Sequence, residues 1–404
     1  MMETVAKKSS TIKEFIRSIP INKIGVKDLL NFEKSPLNLF LAALTLVFLG
    51  LFVVGVLFYL LHGHHAYNVT REHPWGLLIA VYIFFVVSST GLCIVGSLGD
   101  VFGFKDYMAI SKRAIFGSIV TIVAGFVVIA FEIGHPITMM IYNVLTPGLT
   151  SAIWWMGTLY GLYLTFMIIE FVFLLKNDMK SAKTFGLIGL LVGLAAHSNL
   201  GGVFGFLNAR TISNGVFYPT YFILTAFITG VFIAYIMMGF RYKLSFPKEI
   251  QTMLGGLAKI QALLISILIF FVTWKFLTDV YGGMPNRAEV AEHILGSWTF
   301  WAEVILAMLI PLTIILASKA SAYKAIFFAS LSGMVGIFFM RYNLVHDTQL
   351  KPLQEMKIRE YQLPPEWIHY FPSATEIMIS LGGLGLCLAL YYVGTKLFSL
   401  DTEH

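Results

Sequence analysis

Residues 182–208 of the chain read AKTFGLIGLLVGLAAHSNLGGVFGFLN. This run is apolar and long enough to cross a bilayer as one helix, which takes about 20 residues. His197 lies inside the run and is followed by Ser198 and Asn199. Because hydrocarbon offers no water to a polar side chain, an ionisable group at that depth usually faces a protein interior or a cavity. The stretch therefore predicts a membrane-spanning helix that carries a functional polar group.

The rest of the chain has the same character. Of its 404 residues, 57% are hydrophobic and only 12% are charged, whereas soluble domains carry about 25% charged residues. Apolar runs predict ten spans with approximate bounds 36–62, 74–99, 109–134, 151–176, 182–208, 217–241, 255–281, 297–318, 322–345 and 370–398. We therefore expect an all-α polytopic membrane protein with three parts: a polar and partly amphipathic segment (1–35), the transmembrane domain (36–398) and a short tail (399–404).

The distribution of basic residues predicts how the protein lies in the membrane. Seven Lys and Arg precede the first span, and the loops after the second, fourth, sixth and eighth spans carry two or three each. The loops after the first, third, fifth and seventh spans carry one or none. The positive-inside rule then places both termini in the cytoplasm, with the longer loops outside. The net charge of +6 is explained by these loops, so nucleic-acid binding is not expected.

Several cofactors are excluded by the residues that would have to bind them. Only Cys93 and Cys387 are present, each inside an apolar run, so this chain lacks the ligands of an iron–sulfur cluster or a structural zinc site. A bis-histidine haem needs histidines on facing helices at bilayer depth, and only His197 lies well inside a span. We therefore expect no haem, no iron–sulfur cluster and no metal site in this chain.

Polar side chains gather in the outer third of the predicted bundle. They are Glu132 and His135 on the third span, His197 on the fifth, Lys275 and Asp279 on the seventh, Glu303 on the eighth, Arg341 and Asn343 on the ninth, and Glu376 on the tenth. Charges at helix ends can snorkel to the surface, but six spans at one level favour a hydrated pocket that opens outward. Glu170 stands apart near the cytoplasmic end of the fourth span, where it continues a proton path or pairs with a neighbour.

A redox-inert pocket of histidine, carboxylate, amide and aromatic groups fits a quinone. Quinone reduction consumes two electrons and two protons, so the protein must hydrogen-bond the carbonyl oxygens and relay protons, and histidine suits both tasks. A lone helix histidine that bonds a backbone carbonyl remains an alternative for His197. A secondary transporter or proton channel could use the same polar residues, with Glu170 as its inward half, and a purely structural anchor is a third possibility.

Six stretches together resemble the polysulfide reductase/NrfD-like family of membrane subunits. They are REHPWGLLIAVYIFFVVSSTG (71–91), FEIGHPITMMIYNV (131–144), SAIWWMGTLYGLYLTFMIIEF (151–171), AAHSNLGGVFGF (195–206), FWAEVILAMLIPL (300–312) and YFPSATEIMISLG (370–382). Length and span number are similar to the longer branch, which holds the membrane subunits of periplasm-facing nickel–iron hydrogenase, of the sulfite-reduction-associated complex and of the quinone reductase complex.

The resemblance implies a multi-pass subunit in the inner membrane of a prokaryote that binds exchangeable menaquinone or ubiquinone. It also implies a ferredoxin-like iron–sulfur partner on the extracytoplasmic face, with further catalytic or cytochrome subunits. The candidate quinone-binding residues are Trp75, Glu132, His135, Trp154, His197 and Asn199, and the candidate proton-transfer residues are Glu170, Asp279, Glu303, Arg341 and Glu376. Family members commonly have Asp and Arg where this chain has Glu132 and His135, and the hydrogenase branch often has Glu near Trp154.

Overall fold

The computed structural model describes residues 18–23, 25, 28, 35–284, 286–352 and 366–401, and this part of the chain contains helices and no strands. The helices are α1 (Pro36–His62), α2 (Leu77–Asp100), α3 (Met108–Glu132), α4 (Pro136–Leu145), α5 (Ala152–Leu175), α6 (Met179–Gly205), α7 (Phe217–Arg241), α8 (Lys248–Tyr281), α9 (Arg287–Leu295), α10 (Trp298–Ala317), α11 (Tyr323–Asp347) and α12 (Ala374–Leu397).

Ten of these helices are long and apolar enough to cross a membrane, which confirms the predicted all-α polytopic fold. The short α4 and α9 lie between spans and were not expected. Loops 63–76, 133–151 and 206–216, and the described parts of the loops after α8 (282–284, 286–297) and α11 (348–352, 366–373), share one end of the bundle, called the long-loop face below. Loops 101–107, 176–178, 242–247 and 318–322 form the short-loop face. Most of the predicted N-terminal segment (1–35) lies outside the described residues, and the predicted orientation stays a prediction.

Polar side chains in the loops cap the first turns of several helices. They accept hydrogen bonds from backbone N–H groups that have no partner within the helix. Ser151 Oγ accepts from Trp154 N at 3.3 Å, and Asp178 accepts from Ser181 N at 3.2 Å. At the start of α12, Ser373 and Glu376 form a reciprocal capping box. The seventh span begins at Lys248 rather than near 255, since its charged first turns continue the helix beyond the apolar run.

The eighth span, α10, is irregular next to Glu303, a candidate proton-transfer residue. A π-helical turn covers Val304–Leu309, directly after Glu303. Pro311 follows that turn, and proline cannot donate a backbone hydrogen bond and clashes with the carbonyl four residues earlier. We attribute the wider turn to this proline. Turns of this kind often occur at functional sites.

Helix α2 is the central helix of the bundle and is almost entirely buried. It approaches α7 closely where two glycines meet: a Cβ added at Gly91 would lie 2.1 Å from the Ala226 carbonyl oxygen, and one at Gly230 would lie 2.1 Å from the Gly91 carbonyl oxygen. Without water to drive helix association, close van der Waals packing at small residues holds such helices together.

The variant Gly91→Ala is expected to lower the melting temperature of the detergent-solubilised protein, because the added methyl group forces α2 and α7 apart at a cost of about 1–3 kcal/mol. Gly161→Ala is the matched control, since a Cβ there meets nothing within 4 Å. Alanine at that helical position should be neutral or stabilise the protein by up to about 1 kcal/mol. Equal loss of stability in both variants would contradict this account of the packing.

Candidate functional site

A group of buried polar side chains, called the central polar cluster, joins four helices below the long-loop face. It consists of Tyr160 on α5, His197 on α6, Thr225 on α7 and Arg341 on α11. The Tyr160 hydroxyl and His197 Nδ1 are hydrogen-bonded at 3.0 Å, and Arg341 Nη2 donates to Thr225 Oγ1 at 2.5 Å. All four side chains are fully buried. His197 therefore has a side-chain partner in Tyr160, and the backbone of Phe222 also lies near its ring, so the alternative of a histidine that bonds a backbone carbonyl stays open.

Aromatic rings of α7 connect the two halves of this cluster. The Phe222 ring centre lies 5.5 Å from that of His197, and the Arg341 guanidinium carbon lies 5.1 Å from the Phe222 ring centre. The same guanidinium lies 5.8 Å from the ring centre of Tyr221. A cation over aromatic faces is attracted by the ring quadrupole. Phe222 thus packs between the histidine and the arginine and brings them into one site.

The central polar cluster has three nitrogen atoms without a hydrogen-bond partner in the described protein: His197 Nε2 and Arg341 Nε and Nη1. A buried polar atom that lacks a partner costs about 1–3 kcal/mol, and more when it is charged. Arginine has only donors, so its free nitrogens need an acceptor atom. The cluster is therefore chemically incomplete and fits a ligand that presents acceptor oxygens.

A cavity of about 60 Å³ adjoins the cluster on the side of α8, α10 and α11. Apart from aromatic and aliphatic side chains, its walls carry polar groups of Tyr218, Tyr221, Lys275, Glu303, Asn343 and Asp347. Asn343 Nδ2 donates to Glu303 Oε2 at 3.0 Å, and Asn343 Oδ1 is buried without a partner. A cavity of this volume has room for a few water molecules, which the convergent polar groups can bind.

A second cavity of about 320 Å³ opens at the long-loop face and shares Ile212, Asp347 and Thr348 with the first. Asp347 thus lies between the inner cavity and the surface, and His346 Nδ1 lies 3.3 Å from its Oδ1. Sequence reasoning missed Asp347, Tyr160 and Thr225. An acid at the end of a span, or a hydroxyl within one, gives no signal in the sequence until its neighbours are known.

Lys275 and Asp279, which were expected on one helix face, form an ion pair of 2.6 Å beside the inner cavity. Asp279 also accepts from Arg287 Nε of α9 at 2.7 Å. The Asp279 carboxylate therefore has a cation on each oxygen and holds the start of α9 against α8.

The candidate aromatic residues lie near the cluster without touching its free nitrogens. Trp75 exchanges two hydrogen bonds of 3.0 Å with the Gln349 side chain, and its ring packs on Phe204. Trp154 Nε1 donates to the Asn143 carbonyl oxygen at 2.7 Å, and Asn199 Nδ2 donates to that of Ala152 at 2.8 Å. Trp154 and Asn199 thus tie the outer ends of α5 and α6 to neighbouring backbone.

The remaining outer candidates belong to a separate group around α12. Glu376 accepts from the backbone N–H of Asn68 at 3.1 Å and of Leu77 at 3.3 Å, and from the hydroxyl of Tyr370. Glu132 is half-buried with Oε2 unpartnered, while His135 is exposed. The structure therefore does not bring all of the predicted residues into one pocket. His197, Arg341 and Glu303 with its cavity meet at the centre, and Glu132, His135 and Glu376 lie apart.

Glu170 is fully buried at the opposite end of the bundle, close to Asp100 of α2.

Of the described residues, no group of three or more His, Cys, Asp or Glu side chains is arranged to hold a metal ion. The two free cysteines, Cys93 and Cys387, are not paired with each other.

A family model described as "Polysulphide reductase, NrfD" matches residues 64–352 of the chain. The chain belongs to the NrfD family. The match runs from the end of α1 to the loop after α11 and so includes every member of the central polar cluster. The resemblance seen in the six sequence stretches is confirmed.

Two relatives match the chain over nearly its whole length. One is the "Hdr-like menaquinol oxidoreductase integral membrane subunit" of Archaeoglobus fulgidus, 26% identical over 89% of this chain and 94% of its own. The other is a subunit of the selenate reductase of Mesobacillus selenatarsenatis, 21% identical over 85% of this chain and 90% of its own. Both are named as subunits, so this NrfD protein is similar to components of multi-subunit oxidoreductases.

His73, just before the Pro74-Trp75-Gly76 motif, is a buried titratable residue at the long-loop face of this NrfD protein. His73 is only 2% exposed, stacks on the Tyr370 ring at 4.3 Å, and has both ring nitrogens unpartnered. Burial, and next the nearby His346, lower the pKa of His73 to about 4. A histidine in the unfolded chain has a pKa near 6.5. Between pH 6.5 and about 4, His73 is therefore protonated in the unfolded chain and neutral in the folded protein.

Stability should therefore fall as the pH is lowered from about 6.5 towards 4, by at most about 1.4 kcal/mol per pH unit from this one group. His73→Phe keeps a ring against Tyr370 but cannot titrate, so its melting temperature should decline less over the same range. Thermal unfolding of both proteins at a series of pH values checks this. Parallel pH profiles would show that His73 does not contribute.

Proposed function

We propose that this protein is the quinone-binding integral membrane subunit of a respiratory oxidoreductase in the cytoplasmic membrane of a prokaryote. One observation carries the proposal: His197 and Arg341 are fully buried, and three of their nitrogen atoms lack partners. A quinone has two carbonyl oxygens that accept hydrogen bonds and a ring that packs on aromatic side chains. The name of the Archaeoglobus relative, a menaquinol oxidoreductase subunit, supports menaquinone as the ligand, with ubiquinone as the alternative.

The bond between Tyr160 and His197 defines the role of the histidine. When the Tyr160 hydroxyl donates to Nδ1, the proton of the neutral imidazole resides on Nε2, which then faces the ligand as a donor. His197 thus hydrogen-bonds one carbonyl oxygen and can give it a proton, and Tyr160 orients the ring. Arg341 adds positive charge and two more donors at the same place.

Protons would reach this site from the long-loop face. Glu303 lies at the inner cavity, and Asp347 joins that cavity to the outer one. Two acids that share a hydrated route can pass protons in short steps. Within this proposal Glu303 exchanges the protons. Asp279, with its two cations, and Glu376, with its four donors, hold helices in position.

Electrons would be exchanged with a ferredoxin-like iron–sulfur subunit docked on the long-loop face, together with further catalytic or cytochrome subunits. His197 lies eight residues before the end of α6, or about 12 Å below that face at 1.5 Å per residue. The loops there include two extra helices, α4 and α9, whereas the short-loop face has only brief turns. The positive-inside rule puts the long-loop face on the extracytoplasmic side.

Tyr160→Phe should weaken binding of a short-chain naphthoquinone to the purified protein by roughly tenfold, since one hydrogen bond that fixes His197 is lost. Tyr163→Phe is the matched control: Tyr163 is equally buried one turn away, but its hydroxyl lies 3.1 Å from Ser89 Oγ. Equilibrium binding of the naphthoquinone to both variants is the measurement. Equal weakening, or none in Tyr160→Phe, would place the ligand elsewhere.

His197→Ala should leave the protein folded but without bound quinone, because the principal donor is removed. The wild-type protein is expected to co-purify with about one quinone per chain, measured by solvent extraction and chromatography. His135→Ala serves as the control, since that histidine is exposed at the long-loop face. If the wild-type protein contains no quinone, or His197→Ala retains it, the proposal fails.

A secondary transporter or proton channel is the second candidate function. The buried carboxyl groups of Asp100 and Glu170 favour it, because they lie far from the central polar cluster and near the short-loop face. Ion flux into vesicles that contain the protein alone, without quinone or electron donor, would distinguish this candidate from the first.

A further inference from the structure

Buried oxygen atoms without partners collect at the short-loop end of α2 and α5. Asp100 is the last residue of α2, Ser97 precedes it by three residues on the same helix, and Glu170 is on α5. These side chains are 5%, 0% and 0% exposed, respectively. Residues three apart on a helix lie on one side of it, so Ser97 and Asp100 face the same space.

None of the five side-chain oxygens has a hydrogen-bond partner outside this group. They are both oxygens of Asp100, both oxygens of Glu170, and Ser97 Oγ. The two carboxyl groups are close enough for a proton on one of them to hydrogen-bond to the other. Of the ion pairs between described residues, none includes either carboxyl group. No cationic side chain of the described protein therefore neutralises the group.

The Glu170 carboxyl group fits against α6 because residue 186 is a glycine. A Cβ at Gly186 of α6 would lie 2.4 Å from Glu170 Oε1 and 3.0 Å from a side-chain carbon of Val101. Any larger residue at 186 would displace the Glu170 carboxyl group. The backbone of α6 thus passes close to the Glu170 carboxyl group and forms one wall of the site.

We propose that Ser97, Asp100 and Glu170 bind a sodium ion that enters from the short-loop face. Two buried carboxylates without a counter-charge are costly in a membrane interior, and one cation between them offsets much of that cost. The ligand set is made only of oxygen atoms, which hard cations prefer. The C-terminal end of a helix carries partial negative charge, and such ends coordinate sodium ions in transporters.

This site is independent of the proposed quinone chemistry, since it shares no residue with the central polar cluster. Its position also explains the direction of entry. Asp100 is followed directly by loop 101–107 of the short-loop face, while Glu170 lies five residues before the end of α5, or about 8 Å from that face. An ion needs to pass only about one and a half helical turns of protein to reach it.

The test is the sodium dependence of thermal stability in nanodiscs at pH 8, with sodium chloride compared with N-methylglucamine chloride at equal ionic strength. Sodium should raise the melting temperature of the wild-type protein, because a ligand that binds only the folded state stabilises it. Asp100→Asn and Glu170→Gln should abolish this effect, and Ser97→Ala should weaken the apparent sodium affinity several-fold. Glu132→Gln, which changes a carboxyl group at the other end of the bundle, should retain it.

Equilibrium binding of radioactive sodium to the wild-type protein gives a second measurement that needs no variant, and about one ion per chain is expected. Equal stability in both salts, or a sodium effect that persists in Glu170→Gln, would overturn the proposal. A wild-type stability that depends on pH but not on sodium would also overturn it, since the carboxyl groups would then take protons only.

Discussion

The packing of α7 against α11 depends on how the charged guanidinium of Arg341 is stabilised in the interior of the protein. Arginine stays protonated in proteins, so the Arg341 side chain, which is fully buried, has to be stabilised by its surroundings. Its Nη2 donates a hydrogen bond to the Thr225 hydroxyl, and its guanidinium lies over the rings of Tyr221 and Phe222. All three residues are on α7. Helices α7 and α11 are therefore fixed to each other at this level, and the remaining guanidinium donors, Nε and Nη1, have no partner among the described residues.

The neighbouring features follow from this arrangement. Asn343, two residues after Arg341, reaches the opposite side of α11 and binds Glu303, which lies immediately before the π-helical turn of α10. In the proposed function, the arginine side of α11 would bind the ligand, and its asparagine side would hold the acid that exchanges protons. One helix would then carry both functions because its two faces meet different partners.

The sequence predicted the spans and their number because an apolar run of sufficient length has a direct physical meaning in a bilayer. It also predicted His197, Arg341 and Glu303, since an ionisable residue within such a run is rare. It could not predict which of these residues meet. The role of Glu376 depends on Asn68 and Leu77, about 300 residues earlier in the chain. Tyr160 was missed because tyrosines are common in these spans, and only the contact with His197 distinguishes it.

The central polar cluster and the acidic group of Asp100 and Glu170 have opposite deficits in hydrogen bonding, and this difference argues against a single ion path through the protein. Near the long-loop face the unpartnered atoms of His197 and Arg341 are nitrogens, which fit an uncharged ligand with acceptor oxygens. Near the short-loop face the unpartnered atoms of Asp100 and Glu170 are oxygens, which fit a cation. A cation that moved from the second group to the first would meet the fixed positive charge of Arg341. The two sites are therefore better understood as separate ligand sites, and any coupling between them would pass through α2 and α5, which run between the two levels.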